Sequence, residues 1–210
     1  MATVINELNR HRFAVPLREM HADRKTVFVD QLKWQLPVVD DAYEIDDYDR
    51  DDTIYLVVQD AATGGHLGSV RLLPTAGPHL LGDKFALLCD GGVAPRGDDI
   101  FEITRMVTRP DLTRDVAQRV REQLSVAIVE FALQSGISRY TMMTHMAFLS
   151  AVLAVGWDCE PLGLPATVDG DQIGALLLTI TPATLILLRD KWNFAGPVLC
   201  PDDIESALVA

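Results

Sequence analysis

Residues 100–144 read IFEITRMVTRPDLTRDVAQRVREQLSVAIVEFALQSGISRYTMMT, and the order of elements in this stretch decides the fold. Ile100–Thr108 is apolar and β-branched enough for a strand. Asp115–Gln134 then carries Val116, Val120, Leu124, Ile128 and Phe131 at helical spacing, with Gly136 where a helix stop belongs. Arg139–Met143 follows as a short buried strand. Toward the C-terminus, Met146–Val155 predicts a helix ended by Gly156, and Ala175–Ile180 a strand. Thr181 caps a last helix, with Pro182 in its first turn, running to about Trp192. Toward the N-terminus, Pro74–Gly97 is irregular, with five glycines. Before it, Thr53–Gln59 and His66–Leu73 form a hairpin around the turn Ala62–Gly65. Pro16 to about Lys33 predicts an N-terminal helix, with Leu17, Met20, Val27 and Phe28 as candidate buried positions. A helix, antiparallel strands, then strand–helix–strand–helix predict an α/β fold: a three-layer αβα sandwich with a mixed sheet.

The 210 residues suit one domain spanning 1–210, and 49% hydrophobic with 23% charged residues supports an independent core. The first residues lack an apolar run behind basic ones, and no stretch approaches the roughly 20 apolar residues of a membrane span. Cys89, Cys159 and Cys200 match no metal spacing and are expected as reduced thiols in a cytoplasmic protein. The five histidines are scattered and give no ligand pattern, so no metal is expected. A net charge of -12 argues against nucleic acid and against anionic membrane surfaces as partners.

Four features carry candidate chemistry. Arg24 and Phe28 share a helical face with Trp34 shortly after, which suits either a core aromatic plus surface charge or a lid over a ligand. The loop Asp40–Asp52 holds eight carboxylates and one arginine. Such a run is ordinarily solvated, but Asp46 and Asp49 would suit a cationic small molecule. Arg71, ending a strand before Pro74, can grip a carboxylate in bidentate fashion, either a ligand's or the acidic loop's. In Phe101-Glu102-Ile103-Thr104-Arg105, strict alternation puts Glu102 and Arg105 on opposite faces, and only a bulge or bend brings them to one.

The order and spacing of these features are more specific than any one of them. Arg24…Phe28…Trp34, Asp46-x-x-Asp49, Arg71-Leu-Leu-Pro-Thr, Phe85 and Glu102-x-x-Arg105 resemble the signature of the LuxI-type autoinducer synthases, the acyl-homoserine-lactone synthases. The resemblance covers residues 24–105 and continues more loosely to about Leu188. It implies a fold like the GCN5-related N-acyltransferases. It implies acylation of the S-adenosylmethionine amine by a thioester, then lactone closure with release of methylthioadenosine. No metal or redox cofactor takes part; both small molecules are substrates. By the resemblance, Glu102 is the general base, and the amides of Arg105–Val107 face the oxyanion. Arg24, Phe28, Trp34, Asp46, Asp49, Arg71, Phe85, Phe101 and Arg105 shape the S-adenosylmethionine pocket. Within it, Trp34 covers the nucleoside or sulfonium, Asp46 meets the amine, and Asp49 pairs with Arg71 or Arg24. Met106, Thr141, Met142, Met143, Thr144, Met146 and Leu149 are expected along the acyl chain, the thioethers adapting to irregular volumes.

Acyl-coenzyme A is the expected donor in preference to acyl-carrier protein. Tyr140–Leu188 contains no Lys or Arg to meet an acidic carrier. Arg109 and Arg114, with Arg119 and Arg121, precede or open a helix whose N-terminus suits phosphates. The alternatives are a general N-acyltransferase, which would lack the acidic loop and Trp34, and a non-enzymatic acyl- or nucleotide-binding regulator, which would leave Glu102 without a role.

Overall fold

A computed structural model of the chain describes residues 1–200. Strand β1 (Ala2–Ile5) leads through a 3-10 turn (Arg10–Phe13) into α1 (Ala14–Arg24), which continues as a π-helical segment (Lys25–Gln31). Then come the short β2 (Val38–Val39) and β3 (Tyr43–Glu44), β4 (Ile54–Gln59), β5 (His66–Pro74), α2 (Leu80–Lys84) and β6 (Ile100–Thr108). The second half has α3 (Arg114–Ser135), β7 (Arg139–His145), α4 (Leu149–Val155), β8 (Asp158–Pro161), β9 (Ala166–Val168), β10 (Asp171–Thr179) and α5 (Pro182–Trp192). Among the described residues, no helix is long and apolar enough to cross a membrane.

The chain forms two compact units. The first holds Met1–Arg71, Arg105–Ile128 and the described residues 197–200; the second holds Leu72–Thr104 and Val129–Gly196.

In the first unit β1 pairs antiparallel with β4, from Ala2 opposite Val58 to Ile5 opposite Tyr55. The order continues through β5 to the end of β6. Ile5, Met20, Tyr55 and Val57 form a buried cluster against which Phe13 and Leu17 of the N-terminal segment pack. Gly68 lets α3 approach β5: a Cβ there would lie 2.5 Å from Val120 Cγ1 and 3.0 Å from the Val107 carbonyl oxygen.

In the second unit β6 runs parallel to β7, with Glu102 beside Thr141 and Ile103 beside Met142. β10 pairs antiparallel with β7 and also takes β8 and β9 as antiparallel partners. The sheet is therefore mixed, as expected. Leu81, Leu88, Cys89, Ala94 and Ala175 make a buried cluster in this unit. The α5 cap is reciprocal: the Thr181 hydroxyl accepts from the Thr184 amide and the Thr184 hydroxyl from the Thr181 amide.

Several expectations need correction. The N-terminal helix starts at Ala14 rather than Pro16, and its last turns are π-wound, the Leu32 amide bonding the Val27 carbonyl five residues back. Val116 is exposed, and Ala117 takes the inward position in the first turn of α3. The stretch Pro74–Gly97 contains the short helix α2. The sequence pattern does not predict β1, β2, β3, β8 or β9: each is too short for a period to register, and the partner of β1 is distant in sequence.

Candidate active site

The acidic loop is divided by the fold. Asp40, Asp41, Asp47, Asp51 and Asp52 are exposed, while the side chains of Glu44, Asp46 and Asp49 turn inward. A tight turn sets the last two: the Tyr48 amide donates to Asp46 Oδ1 and the Asp46 amide to Asp49 Oδ2. These three carboxylates meet three arginines from three elements. Arg24 at the end of α1 donates from Nε to Glu44 at 2.5 Å and in bidentate fashion to Asp49 at 2.8 and 2.9 Å. Arg71 of β5 donates to both oxygens of Asp46 at 2.6 and 3.1 Å and lies 3.1 Å from Asp49. Arg105 of β6 reaches Glu44 at 3.0 Å and Asp46 at 2.8 Å. The cluster is electrically neutral and buried, so each charge keeps a partner that repays its desolvation. Tyr55 adds a hydroxyl donor to Asp49 at 2.7 Å.

The electrostatics follow. Burial opposes the charge of Asp49, but the Arg24 hydrogen bonds and the nearby arginines hold its carboxyl well below the usual range. Asp46 is lowered likewise, burial being outweighed by Arg71 and Arg105. Burial and the neighbouring Asp49 charge push the Tyr55 hydroxyl far up, so it stays a donor.

Arg105 has φ +51°, the left-handed region, in the middle of a strand. A non-glycine residue there costs of order 1–3 kcal/mol. The ion pairs to Glu44 and Asp46 offset that cost. A left-handed residue here interrupts the regular alternation of the strand at Arg105. Phe28 lies under the Arg105 guanidinium at 5.7 Å and stacks on Trp34 with centroids 5.1 Å apart and planes 6° from parallel. The π-winding places Phe28 and Trp34 together, and the Trp34 amide bonds the Phe28 carbonyl.

Both oxygens of Asp46, the residue expected to meet an amine, accept from arginines, which ties this carboxylate into the charged cluster. Glu44 was missed; its only sequence signal is a lone acid between Tyr43 and Ile45.

In the second unit Glu102 is fully buried. Its two oxygens accept the amides of Leu80 and Leu81, at 2.7 and 2.8 Å, at the start of α2. The carboxylate is thereby fixed in orientation. Phe101 is partly buried beside Tyr140 of β7. Phe85, expected with the S-adenosylmethionine residues, packs with Met143 on the apolar cluster of Leu81, Leu88 and Ala175 in the second unit.

An apolar cavity of about 250 Å³ in this unit is lined by Thr144, Met146, Leu149, Leu164, Gly174 and Leu176, among others. Of the residues expected along an acyl chain, Thr144, Met146 and Leu149 line this cavity, and Met106, Thr141, Met142 and Met143 do not. Thr141 is buried beside Glu102 in the register, and its hydroxyl has no hydrogen-bond partner among the described residues. Such an atom costs about 1–3 kcal/mol that a ligand can recover.

A second cavity, of about 320 Å³, lies in the first unit. Val27 and Gln31 of the π-helical segment line it, with Met106, Arg109, Leu112 and Arg121. Met106 thus lines a different cavity from Thr144, Met146 and Leu149. Arg114 is exposed at the start of α3 and lines no described cavity, whereas Arg121, two turns on, faces this one. Arg109 is half-exposed and paired with Asp111 at 2.6 Å.

A mixed sheet with this helix order defines an acyltransferase-like α/β class. An acyl-CoA N-acyltransferase from Pseudomonas aeruginosa shares the fold at TM-score 0.52 and 15% identity, over 84% of this chain and 97% of that one. The site is narrower than that class. The family model described as autoinducer synthase matches residues 8–185, and the chain belongs to that family. An acyl-homoserine-lactone synthase of Ralstonia nicotianae is 36% identical over 79% of this chain and 82% of its own length. BjaI, a CoA-dependent acyl-homoserine lactone synthase solved with SAM and isopentyl-CoA, superposes at TM-score 0.86 with 27% identity, over 100% of this chain and 99% of that one. The chain is accordingly an enzyme, an acyl-homoserine-lactone synthase acting by acyl transfer.

Proposed function

We propose that the chain transfers an acyl group from coenzyme A to the amine of S-adenosylmethionine and closes the lactone. One observation carries the assignment of the amine substrate: Arg24, Phe28, Trp34, Asp46, Asp49, Arg71 and Arg105 converge in one network. The neutral cluster fixes the frame, and the Phe28–Trp34 stack gives aromatic faces for the cationic nucleoside.

The amine of S-adenosylmethionine is largely protonated at neutral pH and must lose a proton before it attacks. Glu102, held by the Leu80 and Leu81 amides, takes that proton, directly or through a water. The amine nitrogen bonds the thioester carbon, and the thiolate leaves and recovers a proton. Backbone amides at Arg105–Val107 are candidates for the oxyanion. The methionyl carboxylate then attacks its own γ-carbon, and the sulfonium leaves as methylthioadenosine, which closes the ring. No metal or redox cofactor enters this chemistry.

The acyl tail takes the apolar cavity around Thr144, Met146 and Leu149. Arg109 and Arg121, on the mixed cavity of the first unit, suit coenzyme A phosphates. The cation-free stretch Tyr140–Leu188 disfavours acyl-carrier protein, and BjaI is itself CoA-dependent. Three free cysteines suit a reducing, cytoplasmic setting.

The test is to supply S-adenosylmethionine with the same acyl group on coenzyme A or on carrier protein and measure methylthioadenosine and acylated lactone. Absence of both products with either donor sinks the reading. A carrier-protein thioester favoured by about tenfold or more in kcat/KM reverses the donor assignment.

A further inference from the structure

α1 presents Glu19 and Asp23, one turn apart on a shared face, to a single residue of β5. Glu19 Oε2 accepts the backbone N–H of His66 at 2.8 Å, and Asp23 Oδ2 lies 2.6 Å from His66 Nδ1. The other ring nitrogen, Nε2, lies 3.0 Å from Ser69 Oγ. A carboxylate at Nδ1 keeps the proton there, so Nε2 accepts from the serine hydroxyl. Gly65 leaves room for this approach, since a Cβ would sit 3.0 Å from Glu19 Oε2.

Asp23, His66 and Ser69 have the connectivity of a hydrolytic triad. His66 and Ser69 are buried, however, and line neither described cavity, so the serine is no nucleophile here. What the three residues join gives their role. Asp23 immediately precedes Arg24 and the change from α to π winding at Lys25. Ser69 lies two residues before Arg71, on the same face of β5. A helix turns by about 100° and rises about 1.5 Å per residue, so a slip of one residue would carry Arg24 off Asp49 and Phe28 off Arg105.

We propose that His66, clasped between Asp23 and Ser69, is a positioning residue: it sets the rotation and register of α1 on β5, and through them Arg24 and Phe28. It acts on the S-adenosylmethionine side of the reaction and rests on the assignment of that pocket made above.

His66→Leu removes both ring hydrogen bonds at similar bulk, whereas His66→Asn keeps a donor near the Nδ1 position. The expected result for Leu is a rise in KM for S-adenosylmethionine of about tenfold to a hundredfold, from the loss of a charge-assisted hydrogen bond. KM for the acyl thioester stays within about twofold. Amide exchange across Lys25–Gln31 accelerates in the free protein, and the Asn variant restores both measures. A purely structural role would raise both KM values together or leave the Lys25–Gln31 exchange unchanged, and either result overturns the proposal. If the Leu variant does not fold, Asp23→Ala and Ser69→Ala carry the same expectations. Trp34→Ala runs beside them as a control. If it raises KM for S-adenosylmethionine and the clasp variants do not, the positioning role is wrong and the pocket assignment stands. If neither moves that KM, the proposal falls together with the pocket.

Discussion

Replacing Arg24 by Met should cost the enzyme about 3–5 kcal/mol of stability, the usual penalty for removing one partner of a buried ion pair. Arg24 makes three short contacts, 2.5 Å to Glu44 and 2.8 and 2.9 Å to Asp49. Charge-assisted hydrogen bonds contribute about 1.5–3 kcal/mol each, so simple addition would overshoot. The acids do not lose everything: Glu44 keeps Arg105 at 3.0 Å, and Asp49 keeps Arg71 at 3.1 Å and the Tyr55 hydroxyl at 2.7 Å. What remains is one surplus negative charge in a buried cluster of three acids and two arginines. Against a total of about 5–15 kcal/mol, that loss leaves a marginal fold. Adding Glu44→Gln removes the surplus charge, so the double variant should be more stable than the sum of the singles predicts, by about 0.5–3 kcal/mol. Urea unfolding followed by far-ultraviolet circular dichroism measures all four proteins. A loss below about 1 kcal/mol for Arg24→Met, or strict additivity in the double variant, would refute the picture of a self-compensating cluster.

Three further outcomes are expected. Glu102→Gln should lower acyl transfer by about 100- to 10,000-fold. It should also weaken the start of α2, because an amide donor would face the Leu80 or Leu81 N–H; turnover within a few-fold of wild type across pH would remove Glu102 as the base. Gly174→Val places carbon where a Cβ already meets Met146 Sδ at 3.2 Å, in the wall of the apolar cavity. The kcat/KM ratio of long to short acyl donors should fall by about tenfold or more, and an unchanged ratio would take the acyl chain out of that cavity. Asp49 has a folded-state pKa below its unfolded value of about 3.9, so the unfolded chain binds the proton first. Its stabilisation is whole above about pH 4 to 5 and is lost as pH falls further; the acid-side fall should be shallower in Asp49→Asn, and equal slopes would contradict the ion-pair account.

The sequence by itself determined the elements whose signals are local. β6 spans the residues predicted from β-branched content, α5 starts at the Thr181-Pro182 cap, and Gly156 takes φ +98° at the end of α4. These depend on side chains within a turn or two of one another, which is what a linear pattern records. The motif order also reached the family, because Arg24, Asp46, Asp49, Arg71, Glu102 and Arg105 keep their types and intervals. Only the tertiary structure decided which charges pair. Eight acids in the loop look alike in sequence, yet three turn inward because arginines from α1, β5 and β6 arrive there. Met106 falls just after Arg105, whose left-handed backbone interrupts the alternation of the strand, and Phe85 packs on a cluster completed by Met143 and Ala175, which are distant in sequence. Neighbours brought together from more than 20 residues away are chosen by burial and charge compensation, and no spacing rule along the chain encodes that choice.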